Sequence, residues 1–467
     1  MSAASQADRD ERLSVRPGVY LAADDKQLRL FRRQPWHQSE SFGAPNAMKR
    51  AVLRKLAEGP CAATELLAAT AAEAHELCAF LDALAAGGWL VTTVRWRDRD
   101  LYTMQPVGTW CRGPGRPDTP PGDLTLSRFA AARREGDEIV VESPLASARM
   151  LVHDATVMTL ITELVLGAGT APAPLPERVT DAVLRDLVSA GLATPRTTET
   201  APDLRLWNPH DLWFHARSRM GNGGYSGTGF GRTNWAKPFF EPPPARREPF
   251  PGKAVELHRP DLEALRRSDH PLTAVVEDRR SIRAHDDESP VTVEQLGELL
   301  YRSAGERTRM TRDGVEHPSR PYPCGGAAYE LELYPVVRRA CGLAAGMYHY
   351  DSREHKLRLV REPGPETGRL IRAAASSAMM PALPQVLIVV AARFGRLMPT
   401  YEELGYSLVL KHVGVLYQTM YLVATSMGLA ACALGASDAM AFTQATGLDY
   451  MAESSVGEFL LGGRPSG

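Results

Sequence analysis

Cysteine is scarce in this chain, six in 467 residues, and Cys61, Cys78, Cys111, Cys324, Cys341 and Cys432 stand without any paired C-x-x-C spacing. That pattern suggests neither a zinc site nor a disulfide framework, so the thiols are read as reduced. A surplus of charge is missing too, since 54 Lys and Arg face 55 Asp and Glu. Such a balance gives no electrostatic reason to expect nucleic acid or an anionic membrane as the main partner. Long hydrophobic runs are also absent. The amino end, "MSAASQADRDERLSVRPG", has no apolar stretch of signal-peptide length, and no later stretch approaches the span of a bilayer. A soluble cytoplasmic protein is expected.

What is present is apolar residue in quantity, 44%, enough for two or three domains with real cores. The first half reads as one unit repeated. In the first copy "VYLAADDKQLRLFRR" alternates like a strand, "NAMKRAVLRKLAEG" and "TAAEAHELCAFLDALAAGG" are helices, and "WLVTTVRW" closes as a strand. In the second, "DEIVVES" and "ARMLVHD" form a hairpin, followed by helices in "DATVMTLITELVLG" and "PERVTDAVLRDLVSAG" and a closing "LATP". Both copies read as winged-helix-like domains, over 1–118 and 119–198. The helix "AAEAHELCAFLDALAAGG" is Ala-rich and acidic and has no basic stripe for phosphates, which argues against DNA. A sheet edge beside a helix suits an extended peptide that adds a strand.

From 199 to about 260 the texture turns to Gly, Pro and aromatics, an irregular lead-in ordered by its rings. His210 and His215 are five apart, too far for a helical metal pair, and no metal is expected. The remainder, to 467, reads as α+β, an antiparallel sheet packed by helices. Its strands are "YELELYPVV", "GMYHYD", "HKLRLVR", "PQVLIVVAA" and "GEFLLGG", with a long helix from about 403 to 427. In that helix Val409, Val413, Leu416, Met420, Val423 and Met427 make one apolar seam, either core or half of a dimer interface.

Three arginines surround one serine in "RRSIR", Arg279, Arg280, Ser281 and Arg283. Alone, such a cluster is as often a set of surface ion pairs as a phosphate grip. Other segments shift the balance. Pro323, Cys324, Gly325 and Gly326 form a tight loop before a strand, where small residues let a flat ligand approach the backbone. "GLAACALGASD" reads as a helix exit into a small-residue loop, and Arg464 follows the last strand. Cationic ends with glycine between them describe a site for a flat ring with a phosphate tail.

These motifs, with "WNPHDLWFHARSR", "YEELGYSLVLKHVGVLYQTMYLVATSMGLAACALG" and "VGEFLLGG" in this order, resemble one family over the full length. It is the SagB-type, FMN-dependent azoline dehydrogenases of the nitroreductase superfamily. The resemblance implies a nitroreductase-like FMN domain behind two winged-helix-like peptide-recognition domains, and FMN at a homodimer interface. It implies that Arg279, Ser281 and Arg283, with Arg280 in the same cluster and help from Arg464, hold the FMN phosphate. Pro323 to Gly326, from the second subunit, would lie against the ring, and Leu434 with Gly435 would present backbone near the reactive nitrogen. Cys324 stands where serine is usual, which argues against a nucleophilic role. The implied substrate is a modified precursor peptide, delivered by a cyclodehydratase, whose thiazoline or oxazoline rings are oxidised to azoles with oxygen as final acceptor.

The family's Lys-Tyr base pair falls on Thr400 and Tyr401, so the lysine is missing. A phenol near pKa 10 needs help to act as a base at neutral pH. Lys411 compensates if the fold turns it inward; otherwise Lys411 and His412 are a solvated pair. Two rival readings stay open. One is a nicotinamide-dependent nitroreductase or ene-reductase, which has no need of the amino-terminal units. The other is a non-catalytic scaffold for the peptide and its cyclodehydratase.

Overall fold

The computed structural model describes residues 9–32, 38–70, 74–107, 117, 119, 122–166, 175–219, 241, 243–312, 314–401 and 404–465. The chain divides into two compact units, 1–229 and 230–467. Most of the glycine-rich stretch read as a lead-in, 220–240, lies outside the described residues.

In the first unit, β1 (Arg9–Val15) is followed by a small antiparallel sheet of β2 (Val19–Ala23), β3 (Leu28–Arg32) and β4 (Gln38–Ser41). Helices α1 (Ala47–Glu58), α2 (Ala63–Thr70) and α3 (Ala74–Ala86) come next, with the two-residue β5 (Cys61–Ala62) between the first two. Asn46 caps α1 by accepting the Lys49 N–H at 2.8 Å, and Leu53, Leu56, Leu66, Phe80, Leu84 and Trp89 close the core beneath. The strands β6 (Leu90–Trp96) and β7 (Arg99–Pro106) follow.

After β8 (Leu124–Leu126) come β9 (Ala131–Glu135), β10 (Glu138–Glu142), β11 (Ala148–Val152), α4 (Ala155–Leu166), α5 (Glu177–Ala190), β12 (Ala193–Pro195), α6 (Pro202–Arg205) and α7 (Pro209–Arg217). The expected hairpin is β10 with β11, and α5 ends on Gly191 in the left-handed conformation. Both halves of this unit share one sheet, ordered β5-β1-β6-β7-β11-β10-β9, because β7 pairs with β11. They also share a core in which Val94, Leu101 and Tyr102 meet Met150, Leu160 and Val183. The sheet therefore runs across residue 118.

The second unit is built on a seven-stranded antiparallel sheet. Its elements, in chain order, are β13 (Ala254–Glu256), α8 (Leu262–Ser268), α9 (Leu272–Asp278), α10 (Val293–Ala304), the hairpin β14 (Thr308–Arg312) and β15 (Val315–Ser319), and β16 (Leu331–Val337). Then follow β17 (Gly346–Asp351), β18 (Lys356–Arg361), α11 (Pro365–Ser377), β19 (Val386–Arg393), α12 (Met398–Tyr401), α13 (Gly405–Ser426), β20 (Ala430–Leu434), α14 (Ala439–Thr446) and β21 (Glu453–Gly462). The sheet order is β13-β18-β17-β16-β19-β21-β20.

The run "VLIVVAA" forms the central strand β19, and its period of two divides the core. Val386, Ile388, Val390 and Ala392 face the layer containing α10 and α13, whereas Leu387, Val389 and Ala391 face α11 and α14. The unit is thus three layers, α/β/α. In α13, Val409, Val413, Leu416 and Met420 are buried in this core, so the apolar seam is packing within the chain. The reading of "GLAACALG" as a helix exit into a loop is corrected, since Ala430–Leu434 is an edge strand paired with β21 over five residues. No helix among the described residues is long and apolar enough to cross a membrane.

Candidate functional site

Helix α9 stops at Asp278, and "RRSIR" leaves it as extended chain. The Ile282 N–H donates to the Ala431 carbonyl at 2.9 Å, which docks the segment on β20. Tyr421 of α13 accepts the Ala433 N–H at 2.7 Å, and its hydroxyl lies 2.8 Å from Ser281 Oγ. Either hydroxyl can donate in the Ser281 contact, and through it the phenol ties Ser281 to the backbone of β20. The Arg279 guanidinium lies over the Tyr421 ring, 5.2 Å from its centroid, while Arg280, Ser281 and Arg283 are exposed.

Arg464, also exposed, is brought to this segment by Gln385. The Gln385 Oε1 accepts the Gly463 N–H at 2.8 Å, its Nε2 donates to the Asp286 carbonyl at 2.7 Å, and the Asp286 N–H donates to the Gly463 carbonyl at 3.0 Å. A Cβ on Gly463 would stand 1.9 Å from the Ser289 carbonyl oxygen, so only glycine closes this stitch. Among the described residues none of Arg279, Arg280, Arg283 and Arg464 has a carboxylate partner, an open donor set that fits a phosphate dianion.

The second centre is the loop before β16. Gly326, Ala327 and Tyr329 all have positive φ, 59°, 52° and 45°, a concentration of strained backbone typical of functional loops. Arg396 holds the turn by donating from Nη2 to the Ala328 carbonyl at 2.7 Å. A Cβ on Gly326 would lie 2.8 Å from the Tyr401 hydroxyl, and one on Gly325 would lie 3.4 Å from His412 Nε2 and 3.5 Å from that hydroxyl. Tyr401 and His412 therefore face the same two glycines, and both are nearly buried at 8% and 6% exposed.

The proton on His412 can be assigned from its neighbours. The Gly325 N–H donates to Nε2 at 2.9 Å, so Nε2 carries no hydrogen. Nδ1 then carries it, and donates at 2.7 Å to Glu330, whose side chain is wholly buried. Cys324 donates to the other Glu330 oxygen at 3.3 Å and accepts the Tyr329 N–H at 3.1 Å. Burial, with the Glu330 charge added, pushes the Cys324 thiol far above its ordinary range and keeps it a neutral thiol, unsuited to nucleophilic attack.

Cys324, Glu330 and His412 offer three atoms close enough for a metal ion. Binding one would require the Nδ1 lone pair, which the Gly325 amide assigns to a proton instead. The cluster is accordingly a hydrogen-bonded brace for the glycine loop. His412→Ala is expected to cost about 1.5–3 kcal/mol, because it removes one of the two side-chain donors to buried Glu330, and denaturant unfolding of the full chain measures this.

Lys411 is exposed, and the fold does not bring it to Tyr401. His412, by contrast, is three residues after Val409 and one before Val413, on the core-facing side of α13; that spacing is the signal by which the sequence could have placed it. Glu330 and Tyr421 were not legible as site residues. Leu434 is buried at the end of β20. Gly435 is exposed, and a Cβ added there would meet nothing within 4 Å, which leaves its backbone open to a flat group. Pro323 is exposed at the start of the loop, and Cys324 to Gly326 pack against Tyr401 and His412 of the same chain.

The arginine cluster and the glycine loop of this α/β/α unit are both tied to α13, through Tyr421 and His412. Residues 276–462 match the Nitroreductase family, and residues 124–223 match the Cyanobactin oxidase ThcOx family. A Methanocaldococcus jannaschii protein named as a nitroreductase is 31% identical over 185 residues, 40% of this chain and 86% of that protein. The chain belongs to the nitroreductase family.

Two solved structures show weaker likeness. A protein from Ralstonia eutropha described as a nitroreductase is 23% identical, with TM-score 0.37 over 49% of this chain and 99% of the other. The Escherichia coli microcin synthetase McbBCD complex with truncated pro-MccB17 bound contains a chain 20% identical, with TM-score 0.35 over 58% and 96%.

Proposed function

We propose that the chain is an FMN-dependent dehydrogenase that oxidises thiazoline or oxazoline rings in a ribosomally made precursor peptide. The observation that carries this reading is a buried phenol, Tyr401, set against a strained glycine loop in a chain that also matches the cyanobactin oxidase family. FMN would supply the two-electron acceptor, with oxygen restoring it. Arg279, Ser281, Arg283 and Arg464, assisted by Arg280, would hold its phosphate.

Tyr401 is the group that takes the proton from the ring's α-carbon. His412, through Glu330, fixes the Gly325 backbone beside it, and Cys324 stays a thiol. The open edge of β2 takes the peptide as an added strand. On α13 Tyr406 and Leu410, one turn apart, are 41% and 40% exposed, an apolar pair suited to a second copy of the chain. The protein would work in the cytoplasm beside the cyclodehydratase that forms the rings.

The test is an anaerobic titration of the purified protein, following the visible flavin band. A thiazoline-bearing peptide alone is expected to bleach it. Bleaching by NADPH and not by the peptide would move the chain to the nicotinamide-dependent reductases, and no bleaching by either would favour a scaffold.

A further inference from the structure

Two arginines of the first unit occupy positions where an unpaired charge is costly. Arg16 lies in the turn between β1 and β2, and Arg32 ends β3 with its backbone paired to Val19. Their side chains are nearly buried, 6% and 3% exposed. Among the described residues the buried Nε of Arg16 and the buried Nε and Nη2 of Arg32 find no acceptor, and no carboxylate pairs with either side chain. Burial lowers both guanidinium pKa values, to about 9 for Arg16, where repulsion from Arg32 and Arg149 adds to it, and to about 10 for Arg32.

Both groups therefore remain cations at neutral pH. The third cation, Arg149, is already satisfied by Glu135 at 3.0 Å and Gln105 at 2.9 Å. The five residues after Arg32, Arg33 to His37, include no acid. A pair of buried positive charges with no counter-charge is strongly unfavourable, and an anion supplied from outside removes the penalty.

The surroundings indicate the kind of anion. In the sheet β2-β3-β4 the strand β2 pairs only with β3, so its other edge is open among the described residues. Tyr20 and Leu21 on that strand are 54% and 50% exposed. An edge of this kind accepts an extended peptide through main-chain hydrogen bonds, and Arg16 stands three residues before its first residue. An arginine fork at the end of such an edge matches a carboxylate two oxygens at a time.

We propose that Arg16 and Arg32 form a carboxylate pocket beside the open edge of β2, filled by an Asp or Glu side chain of an extended peptide that adds to that edge. The identity of the peptide rests on the function proposed above; the pocket does not. Its occupancy would set the register in which the peptide is held.

The full-length protein tests this with hexaglutamate, glutarate and inorganic phosphate as probes, at constant ionic strength, by thermal melting and by direct binding. Hexaglutamate and glutarate are expected to raise the Tm saturably. In Arg32→Met hexaglutamate should bind at least tenfold more weakly, while the variant melts at or above the wild type because an apolar group replaces an unpaired charge. Arg16→Met provides the same readout should Arg32→Met fail to fold. No response to either carboxylate, a response to phosphate alone, or an unchanged response in both variants would each overturn the pocket. Flavin bleaching plays no part in these measurements, so loss of the dehydrogenase reading and loss of the pocket are separable.

Discussion

Arg279→Ala protein is expected to purify without flavin colour. The guanidinium is held over the Tyr421 ring rather than spent on a carboxylate, so its donors are free for a phosphate. A charge-assisted contact of this kind contributes about 1.5–3 kcal/mol, which corresponds to roughly ten- to a hundredfold in affinity. Loss on that scale is enough to strip a non-covalent cofactor during purification. The variant should keep its fold, because the neighbouring Ser281 and Tyr421 still tie the segment to β20. Absorbance and mass analysis of the purified variant decide it, and full flavin occupancy would remove Arg279 from the clamp.

Tyr401→Phe is expected to keep flavin and lose turnover. The ring is nearly buried, so phenylalanine preserves its packing, while the hydroxyl facing Gly325 and Gly326 disappears. A positioned general base contributes about a hundred- to ten-thousandfold in rate, and a fall of at least about a hundredfold in peptide-driven bleaching is the outcome that supports its role. Rapid mixing under anaerobic conditions measures it. Bleaching at the wild-type rate would mean that another group takes the proton. Thr400 carries no charge and Lys411 is exposed, so in the proposed reaction Tyr401 would work beside the His412 and Glu330 brace.

Much of the second unit was legible because its signals are strong. An uninterrupted apolar run as long as "VLIVVAA" has to be buried on both faces, and the spacing of Val409, Val413 and Leu416 admits only a helix. Elements made of small residues were harder to read. The strand Ala430–Leu434 has little side chain to declare itself, and its pairing with β21 decides its form. Helix α11 buries Thr367, Leu370, Ile371, Ala374 and Ala375 at regular helical spacing, but three of the five are small or polar and give that stripe little hydrophobic contrast. In the first unit the main helices and the closing strands were readable, but "VYLAADDKQLRLFRR" folds as the hairpin β2–β3, α2 was not read, and the sheet shared by the two halves depends on the pairing of β7 with β11, which lies beyond any local pattern.

The site divided along the same line. Arginines and glycines in short motifs can be seen in sequence, whereas Glu330, distant in the chain from His412, becomes a partner only through the fold. The carboxylate is invisible as a site residue until α13 crosses the loop before β16.

Helix α13 carries His412 toward the glycine loop and Tyr421 toward the arginine clamp. At about 1.5 Å per residue the two lie roughly 14 Å apart along the axis, and each added residue turns one end by about 100° against the other. The helix thus serves as a ruler and a protractor at once. A deletion of one residue between them would leave the arginine cluster and the glycine loop intact and still point the two halves of the site in different directions.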